Sequence, residues 1–273
     1  MVLPEYSSSA EVAVERWDNG AVSSRSHDMV AEEVPVALEY NGISHAVMMA
    51  SPADLEDFAL GFSLTEGILQ DRSELFDCEI VAAEDGIQVQ MQIATERFVA
   101  LKEKRRNLTG RTGCGLCGAE TLQQAVRKPA PVASQARFSA AAIYAAMAEM
   151  QKRQHLQQVT GATHAAAWLQ ADGHVGLVRE DVGRHNALDK LIGGLMQQNP
   201  PADFASGAVL ITSRASYEMV QKAASMGCGF IVAVSAPTAL AIRLAEQAGV
   251  TLLGFVRQPG HVVYAHPQRL VAA

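Results

Sequence analysis

Ala208-Val-Leu-Ile-Thr-Ser-Arg-Ala-Ser-Tyr-Glu-Met-Val220 starts as an apolar run of strand length, passes through Thr212, Ser213 and Arg214, and continues with helical spacing. A short run that is apolar at every position is how a strand covered on both faces reads. The unit recurs downstream. Phe230 to Ser235 leads into a helix from Pro237 to Ala248, and Val250 to Val256 ends at Arg257. Upstream, Ala162 to Leu169 and His174 to Val178 read as strands, while Leu188, Leu191, Ile192, Leu195 and Met196 give Ala187 to Met196 the spacing of a helix. An alanine-rich stretch capped by Ser139 and stopped at Gly161 predicts one long helix to about Val159. Strands alternating with helices predict an α/β fold, a partly parallel sheet covered by helices.

The first third has a different rhythm. Val34 to Tyr40, Asn41-Gly42 and Ile43 to Met49 form a hairpin pattern, because Asn-Gly suits a type I′ turn. Glu79 to Ala83, Asp85-Gly86 and Ile87 to Ile93 form a second one. Between them Ser51 is the expected N-cap and Pro52 the first residue of a helix through about Gly67, with Leu55, Phe58, Ala59, Phe62 and Leu69 as its apolar stripe. Lys128-Pro-Ala-Pro-Val-Ala-Ser134 reads as a linker. The expected organisation is therefore a smaller strand-rich N-terminal domain, residues 1–130, and an α/β domain, residues 131–273.

Composition removes several functions. With 273 residues and 49% hydrophobic content the chain can bury a real core. A net charge of −7 argues against a general nucleic-acid binder, so any anion site must be local. No run approaches a membrane span, and the start lacks the basic and apolar regions of a signal peptide, so a cytoplasmic address is expected.

Three places carry chemistry. Gly110-Arg-Thr-Gly-Cys114-Gly-Leu-Cys117-Gly118 sets two thiols on a glycine-rich loop behind Lys102, Lys104, Arg105, Arg106 and Arg111. Nearby cations and a helix start, expected from about Ala119 to Arg127, would favour the nucleophilic thiolate. The alternatives are half of a zinc site, which lacks a second C-x-x-C or a His pair, and an inert turn. Ser213, Arg214 and Arg257 lie at strand ends, where open α/β sheets bind ligands and helix starts bind anions. Arg179-Glu-Asp-Val-Gly-Arg184-His185-Asn186, with Asp189-Lys190, crowds ionisable groups at a strand end; His185 could serve as acid, base or ligand contact, or the group could be a charged helix cap. His164, in apolar company, reads as a core or supporting residue. Cys228 and Cys78 read as buried and inert.

Taken together, Pro52 to Phe62, Thr65-Glu-Gly67, Thr112 to Gly118, Thr163 to Ala167, Glu180 to Lys190, Thr212 to Val220 and Ser235 to Leu240 resemble the FdhD/NarQ family of formate dehydrogenase accessory sulfurtransferases over nearly the whole chain. The resemblance implies a sulfurtransferase. A cysteine desulfurase would load sulfur as a persulfide on Cys114, with Cys117 assisting. The sulfur would pass to the molybdenum bis(molybdopterin guanine dinucleotide) cofactor, bound as substrate, before its insertion into formate dehydrogenase. It also implies a cofactor-binding stretch at Phe255, Val256, Arg257, Gln258, Pro259 and Gly260, which coincides with the strand-end anion site. Ser213, Arg214, His164, Arg184 and His185 complete the expected cofactor contacts. A cytidine-deaminase-like C-terminal domain and a homodimer are further implications, with no tightly held metal, nucleic acid or membrane. Deaminase chemistry is not expected, since His164 is followed by Ala165 and Ala166 and no H-x-E is present. The rival reading is a non-catalytic chaperone that holds the cofactor.

Overall fold

The computed structural model of this protein describes residues 7–109 and 129–271. It begins with a ribbon of two long strands, β1 (Ser9–Asp18) and β2 (Ala21–Ala31), paired with each other alone. β3 (Val34–Tyr40) and β4 (Ile43–Ala50) then form the expected hairpin, with Asn41 and Gly42 at φ 47° and 79° as a type I′ turn requires. α1 (Leu55–Thr65) follows, then β5 (Leu75–Ala83), β6 (Gly86–Ile93) and α2 (Thr95–Thr109). The sheet order is β4-β3-β6-β5, and β3 runs parallel to β6. Alternate residues Val36, Leu38, Tyr40, Ile87, Val89 and Met91 turn inward beneath Phe58 and Phe62 of α1, and all are buried.

After a coil from 129 to 137 come β7 (Phe138–Ser139), α3 (Ala140–Lys152), α4 (His155–Thr160), β8 (His164–Leu169), β9 (Val175–Asp181) and α5 (Arg184–Gln197). β10 (Ala208–Ile211), α6 (Tyr217–Ser225), β11 (Phe230–Ala233), α7 (Ala239–Ala248), β12 (Thr251–Arg257), β13 (Gly260–Ala265) and β14 (Leu270–Val271) complete the chain. Six strands form one mixed sheet in the order β13-β12-β11-β10-β8-β9. Its strands β10, β11 and β12 are parallel, β13 and β8 flank them antiparallel, and β9 at the far edge pairs antiparallel with β8. Val209, Ile211, Ile231 and Ala233 face the core with α5, α6 and α7, while Leu210, Phe230 and Val232 face α3. The mixed α/β architecture is as expected. Among the described residues no helix is long and apolar enough to cross a membrane.

Two sequence expectations give way here. Ser51 is not an N-cap: α1 starts after Asp54, which takes φ 52° and makes no side-chain cap bond. Ser51 is instead fully buried, its N–H donating to Asp181 Oδ2 (3.0 Å), its hydroxyl accepting from Val182 N–H and its carbonyl from Lys190 Nζ (2.9 Å). The stretch from Ser139 to Val159 is not one helix either. It breaks at Arg153 and Gln154, and Arg153 turns its guanidinium to the carbonyls of Val175 and Gly176.

Every residue of α1 except Glu56 is buried, because the side away from the N-terminal sheet packs on α5. The approach is close enough to need glycine on both helices. A Cβ on Gly61 would meet the Asp189 carbonyl oxygen, and one on Gly193 would meet that of Asp57. Gly61→Ala is expected to cost about 3 kcal/mol, the upper end for overpacking, since backbone cannot move aside as a side chain can. Urea denaturation checks this, and a midpoint matching wild type would contradict the close packing.

Candidate functional site at the carboxyl edge of the sheet

The parallel strands β10, β11 and β12 all end on one edge of the large sheet. Register brings antiparallel β8 to the same edge by its start, since Ala166 pairs with Ile211, and β9 by its end, since Asp181 pairs with His164. His164, the turn before α5, Thr212 to Ser216 and the end of β12 therefore converge, although they are spread over more than ninety residues of sequence. The turns after β10 and β11 are joined by a bridge between Ala215 and Pro237 and by Thr238 N–H donating to the Ala215 carbonyl (3.0 Å). Thr238 caps α7 through its hydroxyl. Ser216 stands at the N-cap of α6 without making a side-chain cap bond.

The crowded 179–190 stretch divides into two jobs. Asp181 is fully buried, and its Oδ1 accepts from Gly183 N–H (2.7 Å) and Asn186 Nδ2 (3.0 Å). Its Oδ2 lies 2.7 Å from the buried Lys190 Nζ. Asn186 also donates to the Met49 carbonyl. Asp189 accepts from Lys222 and from the Thr65 hydroxyl (2.7 Å) of α1. Arg179 pairs with Asp57, and Glu180 accepts the Leu156 and Gln157 N–H groups at the start of α4. Apart from Glu180, which fixes α4 beside β9, these residues are wiring between the two sheets. Arg184 and His185, the first two residues of α5, are left facing the edge.

His185 Nε2 lies 2.7 Å from Glu218 Oε2, and the His185 ring beside it holds that carboxyl below its usual range. Burial, then the nearby Arg184 charge, pushes the His164 ring below its ordinary value, which favours its neutral form. Arg184 Nε and Ser216 Oγ are buried atoms with no hydrogen-bond partner among the described residues. Buried donors are normally satisfied, so this pair marks a place where a ligand would complete the bonding. Ser213 is buried and donates to the Arg214 carbonyl, while Arg214 is exposed.

The stretch 255–260 is distorted where it leaves the sheet. The β12–β13 register shifts between Gly254 and Arg257, and Phe255 takes φ 53°, a rare conformation for an aromatic residue. The Phe255 side chain is 49% exposed. The Tyr144 hydroxyl donates to the Pro259 carbonyl and lies 2.8 Å from His261 Nδ1, pinning the turn that contains Gly260 to α3. Val256, Arg257 and Gln258 line a cavity of about 420 Å³ between the strand ends and α3. Tyr144, Gln154 and Thr212, which sequence reading did not single out, line it too. The signal for Gln154 is the helix break, which no local pattern announces.

Cys114, Cys117, Arg111 and the helix expected after Cys117 lie outside the described residues, as do the side chains of Lys104, Arg105 and Arg106. Lys102 is exposed on α2 over the Phe98 ring. Cys228 is fully buried as expected, its thiol pushed up to about 11 by burial. Cys78 is half-buried rather than buried, with its thiol pushed up to about 12, again chiefly by burial.

The model of the FdhD/NarQ family matches residues 31–271. The sulfur carrier protein FdhD of Cupriavidus necator is 66% identical over 94% of this chain and 88% of its own length. That of Bordetella petrii is 55% identical over 98% and 96%. A crystal structure described as a formate dehydrogenase accessory protein from Desulfotalea psychrophila superposes with a TM-score of 0.74 over 96% of this chain and 99% of that one, at 24% identity.

Proposed function

Since the chain belongs to the FdhD/NarQ family, we propose that it is a sulfur carrier acting as a sulfurtransferase for formate dehydrogenase. The Cys114 thiolate attacks the outer sulfur of a desulfurase persulfide. The bond between that sulfur and the desulfurase cysteine breaks, the cysteine leaves as thiolate, and Cys114 keeps the persulfide. Cys117 assists release. The recipient is the molybdenum bis(molybdopterin guanine dinucleotide) cofactor, held as substrate at the carboxyl edge of the six-stranded sheet. Cys78 and Cys228 are poor rivals for the carrier role, because burial keeps both protonated.

The observation that carries the cofactor half is the convergence of Arg184, His185, His164, Ser213 and the 255–260 turn on one edge, with buried donors there left unpaired among the described residues. Two helix starts and Arg257 suit the phosphates of a dinucleotide. Arg257→Ala is expected to lower formate dehydrogenase activity roughly tenfold in cells whose only copy carries it, about 1.4 kcal/mol of binding. Activity equal to wild type would remove Arg257 from the site. The chaperone reading parts company at the thiols, since under it Cys114→Ala would still support maturation.

A further inference from the structure

Gln154 sits in the break between α3 and α4 and is 5% exposed. It does not cap α4, and its carboxamide makes no hydrogen bond among the described residues, yet it lines the cavity at the strand ends. Its backbone is held from both sides, by Arg153 bonded to the Val175 and Gly176 carbonyls and by Glu180 bonded to the first N–H groups of α4. An open amide on a fixed frame is a recognition group in waiting. The cavity walls are apolar at Met147, Met150, Val234 and Val256, and Arg257 is the cation among the described residues that line it. Apolar walls with a few aimed polar groups suit a flat heterocycle with one hydrogen-bonding edge.

Resting on the reading that this edge holds the guanine-dinucleotide cofactor, we propose that Gln154 reads the amide edge of a 2-amino-4-oxopyrimidine ring, the ring common to guanine and pterin. Its carbonyl accepts from the ring N–H and its NH₂ donates to the ring carbonyl, giving two parallel in-plane bonds. Gln154 is thus a specificity residue, with Met147 and Met150 packing on the ring and Arg257 left for phosphate.

Calorimetric titration of the full chain with GDP, 6-hydroxymethylpterin and inorganic pyrophosphate tests this. Gln154→Leu is expected to weaken the ring-bearing ligand roughly 10- to 100-fold, as losing a bidentate base contact does, and to leave pyrophosphate unchanged. Loss of GDP binding identifies guanine as the ring, and loss of pterin binding identifies pterin. Ring ligands bound equally by wild type and Gln154→Leu would overturn the proposal while leaving the cofactor site standing. Wild type taking up none of the three would overturn both. Gln154→Glu keeps the side chain's volume and offers two acceptors to the ring N–H and amino group, so the ring ligand that wild type binds, GDP or the pterin, should bind at least about tenfold more tightly. An unchanged affinity for that ligand would contradict the assignment even if Gln154→Leu does not fold.

Discussion

Lys222→Met is expected to cost about 3–5 kcal/mol, because it leaves a buried carboxylate without its counter-charge. Lys222 Nζ reaches both Asp189 oxygens (3.0 and 2.9 Å), Glu66 Oε1 (3.1 Å) and the Thr65 hydroxyl (2.9 Å), and stands over the Phe62 ring. Side-chain exposure is 6% for Lys222 and 2% for Asp189, so water cannot take the lysine's place. Burial alone would lower the Lys222 pKa, but the Asp189 and Glu66 carboxylates push it above its ordinary value. A raised pKa in the folded state means its contribution is complete at neutral pH and fades only as pH climbs past the lysine range. Guanidinium denaturation should therefore separate wild type from Lys222→Met widely at pH 7 and less above pH 11. The double variant Lys222→Met, Asp189→Leu should recover part of the loss, since no orphan charge remains. A single variant as stable as wild type would remove the network from the account of how the two sheets are held together.

Cys114→Ala is expected to reduce formate dehydrogenase maturation to the level of cells lacking the protein. The other described thiols are no substitute. Burial pushes the Cys228 thiol up to about 11, so it stays protonated at pH 7, and it has no access to solvent. Its Sγ–H is also committed to the Phe230 carbonyl. Cys78 is better exposed but still less acidic. Formate dehydrogenase activity in a strain carrying only Cys114→Ala is the readout, and normal activity there would favour the cofactor-holding reading over sulfur transfer.

The periodic features were legible in the sequence because each is set by neighbours a few residues away. Apolar runs at Ala208–Ile211 and Phe230–Ala233, the Asn41-Gly42 turn and the α1 stripe all appear as read. Ser51 reads as a cap because capping is a local preference, whereas its actual partners Asp181 and Lys190 lie about 130 to 140 residues away. The break at Gln154 was hidden because Arg153 and Glu180 enforce it through contacts with β9, against a helix-favouring local sequence. In sequence the 179–190 cluster fits a cap and a site equally, and in the fold it is mostly support. Only the fold shows that Asp181, Asn186, Asp189 and Lys190 point inward. The convergence of His164, Arg184 and the 255–260 turn needed the strand register, which no single-strand pattern encodes.

The most direct test of the central claim is mass spectrometry of the full chain after incubation with a cysteine desulfurase and cysteine. The account predicts one added sulfur atom on the peptide that spans Cys114 and Cys117, removable by a thiol reductant and absent from Cys114→Ala. Full sulfur loading of Cys114→Ala, or loading confined to Cys78 or Cys228, would contradict it.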